Sequence, residues 1–288
     1  MSAVSIFVGI AFIAVALNDV FHTLLRPAST GRLTTIFFRA TWSLSRRGRR
    51  LTVGGPLTVL ATIAMWIILI AVGWALVYLP HIRDGFAHSV DTAQYNPFVE
   101  SLTYSMVALT TLGLGDVVPT DPVIRAVSPL EALMGFALLS ASVSWFLQLY
   151  PALARRRSVA IELTGLHESG LAALPSTITP GHATSLITSV AHALAELTAD
   201  LVQNTEIFYF TERDERLAAA RAIGYAMELR NAALSSGDPD VRSAGTLLEK
   251  VMDELARVLT DQYPYVSGES TDDVLRAVAE SHGHDLTS

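Results

Sequence analysis

The sequence predicts an all-α membrane protein: three hydrophobic spans, a half-span inserted between the second and third, and a soluble helical bundle after the last. Three observations lead there. Of 288 residues, 51% are hydrophobic and only 16% are charged, which is too apolar for one soluble domain, and nearly all long apolar runs lie before Tyr150. Charge is split along the chain: residues 1–157 carry a net +5, while residues 158–288 hold 20 acidic against 8 basic residues, a net −12. Finally, a short helical pattern between the second and third spans runs into "TTLGLGD", Thr110–Asp116. With no Cys, a disulfide framework and a thiolate metal site are excluded. So acidic a tail makes nucleic acid an unexpected partner.

A bilayer-crossing helix needs about 20 mostly apolar residues. Leu57–Leu79 supplies 23 without a charge, and a second span runs from about Val123 to Tyr150, carrying Arg125 and Glu131 near its outer end. The N-terminal stretch, Ser2 to about Leu25, has no basic residue before its apolar core and no plain small-x-small site, so it reads as a retained span. Asn18, Asp19 and His22 lie in its last third. Two readings of them stand: polar residues at a solvated helix end, or a face-to-face Asp19–His22 pair with a functional role. Basic residues favour the cytoplasm. Seven Arg occur in residues 26–56, including "RRGRR" at 46–50, and Arg155–Arg157 follow the last span, whereas residues 80–122 hold Arg83 and five acidic residues. Three spans put the N-terminus and residues 80–122 outside and the acidic tail in the cytoplasm. Leu33–Leu44 is aromatic and amphipathic, a pattern expected to lie along the inner leaflet.

Within the outer segment, Pro97–Thr111 reads as a helix: Pro97 suits the first turn, and Phe98, Leu102, Ser105, Met106 and Leu109 recur at helical spacing. At 1.5 Å per residue it is about 21 Å long, too short to cross but long enough to enter from outside. The following Gly-x-Gly must return to the surface in an extended form. Such backbone cannot face lipid unless something else satisfies it, and a dehydrated cation can. Glycines at alternate positions allow backbone angles that turn successive carbonyls to one side. A helix C-terminus aimed at the same axis adds partial negative charge. These are the requirements of a cation filter lined by carbonyl oxygens.

"TTLGLGD" resembles the filter of potassium channels, usually written Thr-Val-Gly-Tyr-Gly-Asp, and the order of span, pore helix, filter and span resembles the pore module of that superfamily over roughly residues 57–150. The resemblance implies an outer helix, a re-entrant pore helix with its filter, and an inner helix, here preceded by one extra span. It implies that Thr111, Leu112, Gly113 and Leu114 supply the oxygens that bind K+, that Gly115 closes the outer mouth, and that Thr110, Asp116, Tyr104 and Val107 support the filter. It also implies a homotetramer in the lipid bilayer, because one chain carries one filter. Gly135, 20 residues after Gly115, matches the family's hinge glycine; close helix packing through a small residue is the other reading. The sequence departs from the family at Leu112, where Val is usual, and at Leu114, where Tyr is usual. Leu114 lacks the hydroxyl that normally bonds an aromatic cuff, whose positions here are Thr103 and Tyr104. Leu or Phe at that position does occur in the superfamily, so strict selectivity is weakened more than conduction. The occasional pore-helix Glu corresponds to Val107. Ser140, Ser142 and Ser144 face either a water-filled cavity or their own helical turn.

No span carries Arg at every third position, so no ordinary voltage sensor is expected. The tail lacks Gly-x-Gly-x-x-Gly, and no enzyme motif is present. Helices are expected over about Ala183–Phe208, Arg213–Leu234, Asp238-Pro239 to Thr260, and from near Ser270, as an antiparallel bundle. That bundle suits an assembly or gating domain answering to an unknown cytoplasmic regulator. His81 and His88 flank the outer loop with Asp84 and read as solvated, and His282 and His284 read as part of a disordered terminus. The domain division is then 1–56, 57–150 and 151–288. The function expected is a potassium-selective channel. Its alternatives are a weakly selective monovalent cation channel, or a non-conducting scaffold or sensor with a vestigial pore.

Overall fold

The computed structural model describes residues 2–25, 31–47, 54–89, 96–174, 177–212, 214–263 and 265–284. The "RRGRR" cluster lies partly outside them. The described residues divide into two compact units, Met1–Arg39 with Leu57–Leu147, and Ala40–Pro56 with Gln148–Ser288.

The first unit holds the membrane helices. α1 (Ser2–Val20) ends in one π turn over Phe21–Leu25, and α3 (Gly54–Tyr78) is the uncharged span. They approach closely through small residues: a Cβ on Gly9 would lie 2.4 Å from the Gly73 carbonyl oxygen, the kind of contact that drives helix association where no hydrophobic gain is available. α4 (Pro97–Leu109) starts where the sequence places it. Pro97 opens the helix, and the Asn96 side chain accepts from the Phe98 N–H at 2.9 Å, satisfying one of the first-turn donors. α5 (Pro122–Glu168) is 47 residues long. The Trp66 and Trp145 rings pack 5.6 Å apart between α3 and α5. A feature absent from the sequence reading is a hairpin in the outer segment: β1 (Phe86–His88) pairs antiparallel with β2 (Val117–Pro119), placing His88 on a strand instead of in a solvated loop. The rings of Tyr78, Phe86 and Tyr104 meet edge to face at 4.8–5.8 Å beneath it.

Asp19 has neither of its expected roles. It is 2% exposed, and its carboxylate accepts from the Leu33 N–H at 2.8 Å, the Thr34 N–H and hydroxyl at 3.2 and 2.6 Å, and Trp66 Nε1 at 2.9 Å. It therefore caps the first turn of α2 (Arg32–Arg47) from another helix, while His22 Nδ1 lies against its own helix at the Asn18 carbonyl, 2.8 Å away. On α2, Thr34, Phe38 and Trp42 are buried at i, i+4 and i+8, and Ile36 stays exposed.

The second unit is helical. α6 (Pro180–Gln203) packs on α8 (Pro239–Gln262), and α7 (Ala219–Leu234) and α9 (Thr271–Ser281) pack on α8 and on each other. α6 begins three residues before its expected start because Thr179 caps it ahead of Pro180, and it stops at Asn204, where a 3₁₀ turn over Thr205–Tyr209 replaces the expected continuation. α7 starts later than expected, after a 3₁₀ turn over Glu215–Leu217. Ala40–Pro56 groups with this unit, and within it the Trp42 ring packs 5.1–6.5 Å from those of Phe208, Tyr209, Tyr265 and His282. The helix expected to end at Tyr150 continues through Pro151. Its Arg155 makes two hydrogen bonds to Asp200. His282 is no disordered residue: its Nε2 lies 2.8 Å from the Phe208 carbonyl and its Nδ1 2.9 Å from that of Val278.

Among the described residues, four helices are long and apolar enough to cross a membrane: Ala3–Leu24, Gly55–Tyr78, Pro122–Glu168 and Pro180–Gln203. The fourth exceeds the three expected spans. It also carries Glu196 and the ion-paired Asp200.

Candidate functional site

The candidate site is the strand of chain that leaves α4. Thr110 caps the helix in right-handed conformation, with its N–H 3.1 Å and its hydroxyl 2.7 Å from the Met106 carbonyl. The Thr111 and Leu112 N–H groups reach back to Ala108 and Val107 at 2.9 and 3.0 Å. Beyond them the backbone alternates in hand: Thr111 has φ 57°, Gly113 57° and Gly115 78°, with Leu112 and Leu114 between. Among the described residues, no backbone hydrogen bond involves Gly113, Leu114 or Gly115. Glycine enters the left-handed region freely. Thr111 does so at a cost of about 1–3 kcal/mol, which persists only where surroundings enforce it.

The other expected residues fall around this strand. The Asp116 carbonyl accepts from the Ser89 N–H at 2.8 Å, tying the strand's outer end to the hairpin, while its Oδ1 lies 3.1 Å from the Val117 N–H. Val107 contributes its carbonyl, as above. Tyr104 points away from the strand: its hydroxyl donates to Ser128 on α5 at 3.0 Å. Thr103 is exposed and bonds the Val99 carbonyl. Gly135 sits where α4 ends, and a Cβ there would lie 1.9 Å from the Leu109 carbonyl oxygen. α5 passes through it unbroken, so the geometry of this position is that of close packing. Ser140, Ser142 and Ser144 each bond the carbonyl four residues back, at 2.7–3.0 Å.

Sequence reasoning missed the group that fixes α4. Glu131 on α5 is fully buried; its Oε2 accepts from the Tyr78 hydroxyl at 2.8 Å and its Oε1 lies 2.5 Å from Ser105 Oγ. Ser105 Oγ is also 2.9 Å from the Ala71 carbonyl. One carboxylate thus joins α3, α4 and α5. The available signal was Glu131 itself, a carboxylate inside an apolar run that must find donors there.

The family model described as "Ion channel" matches residues 62–150, which include α4, the alternating strand and the first part of α5. Residues 62–150 are an ion-channel domain. Its family comprises channels, not enzymes, and the first unit places an additional hydrophobic helix ahead of it. The chain is also similar to the "Uncharacterized membrane protein YdjJ" of Bacillus subtilis (strain 168), 26% identical over 156 residues. That alignment covers 51% of this chain and 44% of the relative, so the chain spans less than half the length of the curated relative it matches. No solved structure matches the chain. With four candidate membrane helices and this relative, the chain is a multi-pass membrane protein whose ion-channel domain implies a conducted ion.

Proposed function

We propose that four copies of the chain assemble in the cell membrane as a potassium-selective channel, with the backbone of Thr111, Leu112, Gly113, Leu114 and Gly115 as the filter. The observation that carries this reading is the alternation of left-handed φ at Thr111, Gly113 and Gly115 in a strand with no internal backbone hydrogen bonds among the described residues. Alternating hand turns consecutive carbonyls toward one side, where they replace the water of a cation. Backbone of this kind is tolerated at membrane depth only where it lines a cavity or is covered by protein. The C-terminal end of α4 meets the strand at Thr111 and contributes the negative end of its dipole. Leu112 and Leu114 are 63% and 60% exposed in a single chain, which favours an assembly whose neighbouring copies cover them. Basic residues on both sides of the pore domain favour an N-terminus outside and residues 151–288 in the cytoplasm.

One observation favours a second reading. Leu114 has no hydroxyl to brace the filter, and Tyr104 is committed to Ser128, so a cation channel that discriminates weakly between K+ and Na+ has the same architecture. Flux into proteoliposomes under separate K+ and Na+ gradients decides. The potassium reading expects K+ flux more than tenfold above Na+ flux. Equal fluxes leave the weakly selective channel, and no flux of either ion removes conduction. Gly113→Ala is the internal control: within one chain no atom lies within 4 Å of its Cβ, the strain at positive φ is about 1–2 kcal/mol per copy, and the substitution should abolish the K+ preference.

A further inference from the structure

Within the second unit, the segment Thr205–Glu212 touches α2, α3 and α5, the three helices that run on from this unit into the first. The Ile207 carbonyl accepts from Arg156 Nη1 of α5 at 2.6 Å, and Glu212 Oε1 accepts from Arg157 Nε at 2.7 Å. The rings of Phe208 and Tyr209 pack 5.7 and 5.6 Å from that of Trp42 on α2. Phe210 lies against the start of α3, where a Cβ on Gly55 would come within 2.6–2.8 Å of three of its ring carbons. The segment is also pinned from α8 and α9. The Tyr263 hydroxyl donates to the Thr205 carbonyl at 2.7 Å, the Tyr263 ring stacks 3.9 Å from that of Phe208, and His282 Nε2 lies 2.8 Å from the Phe208 carbonyl.

The segment also buries an acid. Glu206 is 4% exposed, and among the described residues its carboxyl has a hydrogen bond to its own N–H and none to another residue. The titratable and charged side chains around the segment are neutral or engaged elsewhere. Asp200 of α6 is held by Arg155, and Arg156 and Arg157 of α5 serve the Ile207 carbonyl and Glu212. Tyr209 and Tyr263 bring phenols, not cations, and burial leaves His282 of α9 neutral near pH 7. As a neutral acid Glu206 tolerates this place; as a carboxylate it does not, because no cation or second donor offsets its lost hydration. Burial accordingly raises its carboxyl to about 7 from 4.5, so the formed charge weights a solvated, undocked segment by roughly 300-fold. We propose that Glu206 is a proton-operated latch: the neutral acid keeps Thr205–Glu212 docked against α2, α3 and α5, and loss of its proton releases the segment from all three together. The latch stands whether or not the pore conducts. Its effect on ion flux rests on the channel reading, because α3 and α5 continue into the ion-channel domain.

Hydrogen exchange of the purified full chain in detergent reads the latch at the Ile207 and Phe210 N–H groups, which bond the Asn204 and Ile207 carbonyls at 3.1 and 3.3 Å. After correction for the intrinsic pH dependence of exchange, protection of peptides covering 205–212 should fall at least about tenfold from pH ~6 to ~8 in the wild type, while α7 and α8 stay protected. Glu206→Gln keeps the size without the titration and should hold its full protection at both pH values. Flux into proteoliposomes, with equal pH on the two faces, is the second readout: K+ flux should change at least about twofold over that window in the wild type and stay constant in Glu206→Gln. Protection that ignores pH, falls equally in Glu206→Gln, or falls alike over α7 and α8 would overturn the latch. Switching protection with a pH-independent flux would overturn its link to the pore and leave the channel reading standing. Switching protection with no flux of any ion would overturn the channel reading and leave the latch.

Discussion

Replacing Gly135 by Ala tests how the pore helix is held. The added Cβ would lie 1.9 Å from the Leu109 carbonyl oxygen and 2.8 Å from its carbon, both backbone atoms that no rotamer change can move aside. Reaching an ordinary contact of 3.4 Å requires α4 and α5 to part by about 1.5 Å. Overpacking of this kind costs typically 1–3 kcal/mol, and at about 2–4 °C per kcal/mol the melting temperature should fall by ~2–12 °C. Leu109 is two residues before Thr111, so the displacement reaches the start of the proposed filter, and on that proposal K+ over Na+ preference should fall with stability. Gly165→Ala on the same helix is the matched control. Nothing lies within 4 Å of its Cβ, so the gain in helix propensity of about 1 kcal/mol should leave it as stable as the wild type or more so. The assays are thermal unfolding in detergent and ion flux in liposomes. A Gly135→Ala protein that melts at or above the wild-type temperature with unchanged selectivity would refute the close-packing argument and restore a pure hinge role.

Further outcomes follow from the buried polar groups. Tyr78→Phe removes the donor to Glu131 Oε2 and should destabilise by about 1–3 kcal/mol; in a double-mutant cycle with Ser105→Ala, the two losses should be non-additive because both serve one carboxylate. Asp19→Asn keeps the size but turns an N–H₂ toward N–H donors, so thermal unfolding should show a loss of similar size, and additivity with Thr34→Val would argue against the shared cap. Glu206 is 4% exposed, and burial raises its carboxyl to about 7 from 4.5. With the folded value raised, its contribution is favourable below about pH 4.5 and is lost as pH rises to 7, so Glu206→Gln should gain stability over the wild type across that window, by roughly 3 kcal/mol at its top. A pH-independent difference in melting temperature would contradict this.

The sequence by itself determined the features that depend on a residue and its near neighbours. The spans follow from apolar run length, α4 from the Asn96-Pro97 start and its helical spacing, and the alternating strand from Gly113 and Gly115, because hydropathy, capping and left-handed φ are properties of one short segment. Even there a local pattern misled at the tail's end, where His282 reads as polar terminus yet turns both ring nitrogens onto backbone carbonyls. Only the tertiary structure decided which partners the buried polar groups take. Glu131 meets Ser105 and Tyr78 across 26 and 53 residues, Asp19 meets Trp66 across 47, and Trp42 joins an aromatic cluster reaching His282. The hairpin beside the alternating strand and the contact of Gly135 with Leu109 are likewise long-range. The physical reason is that burial makes a polar side chain find a partner, but composition and periodicity do not name it; the partner is chosen by which helices pack together.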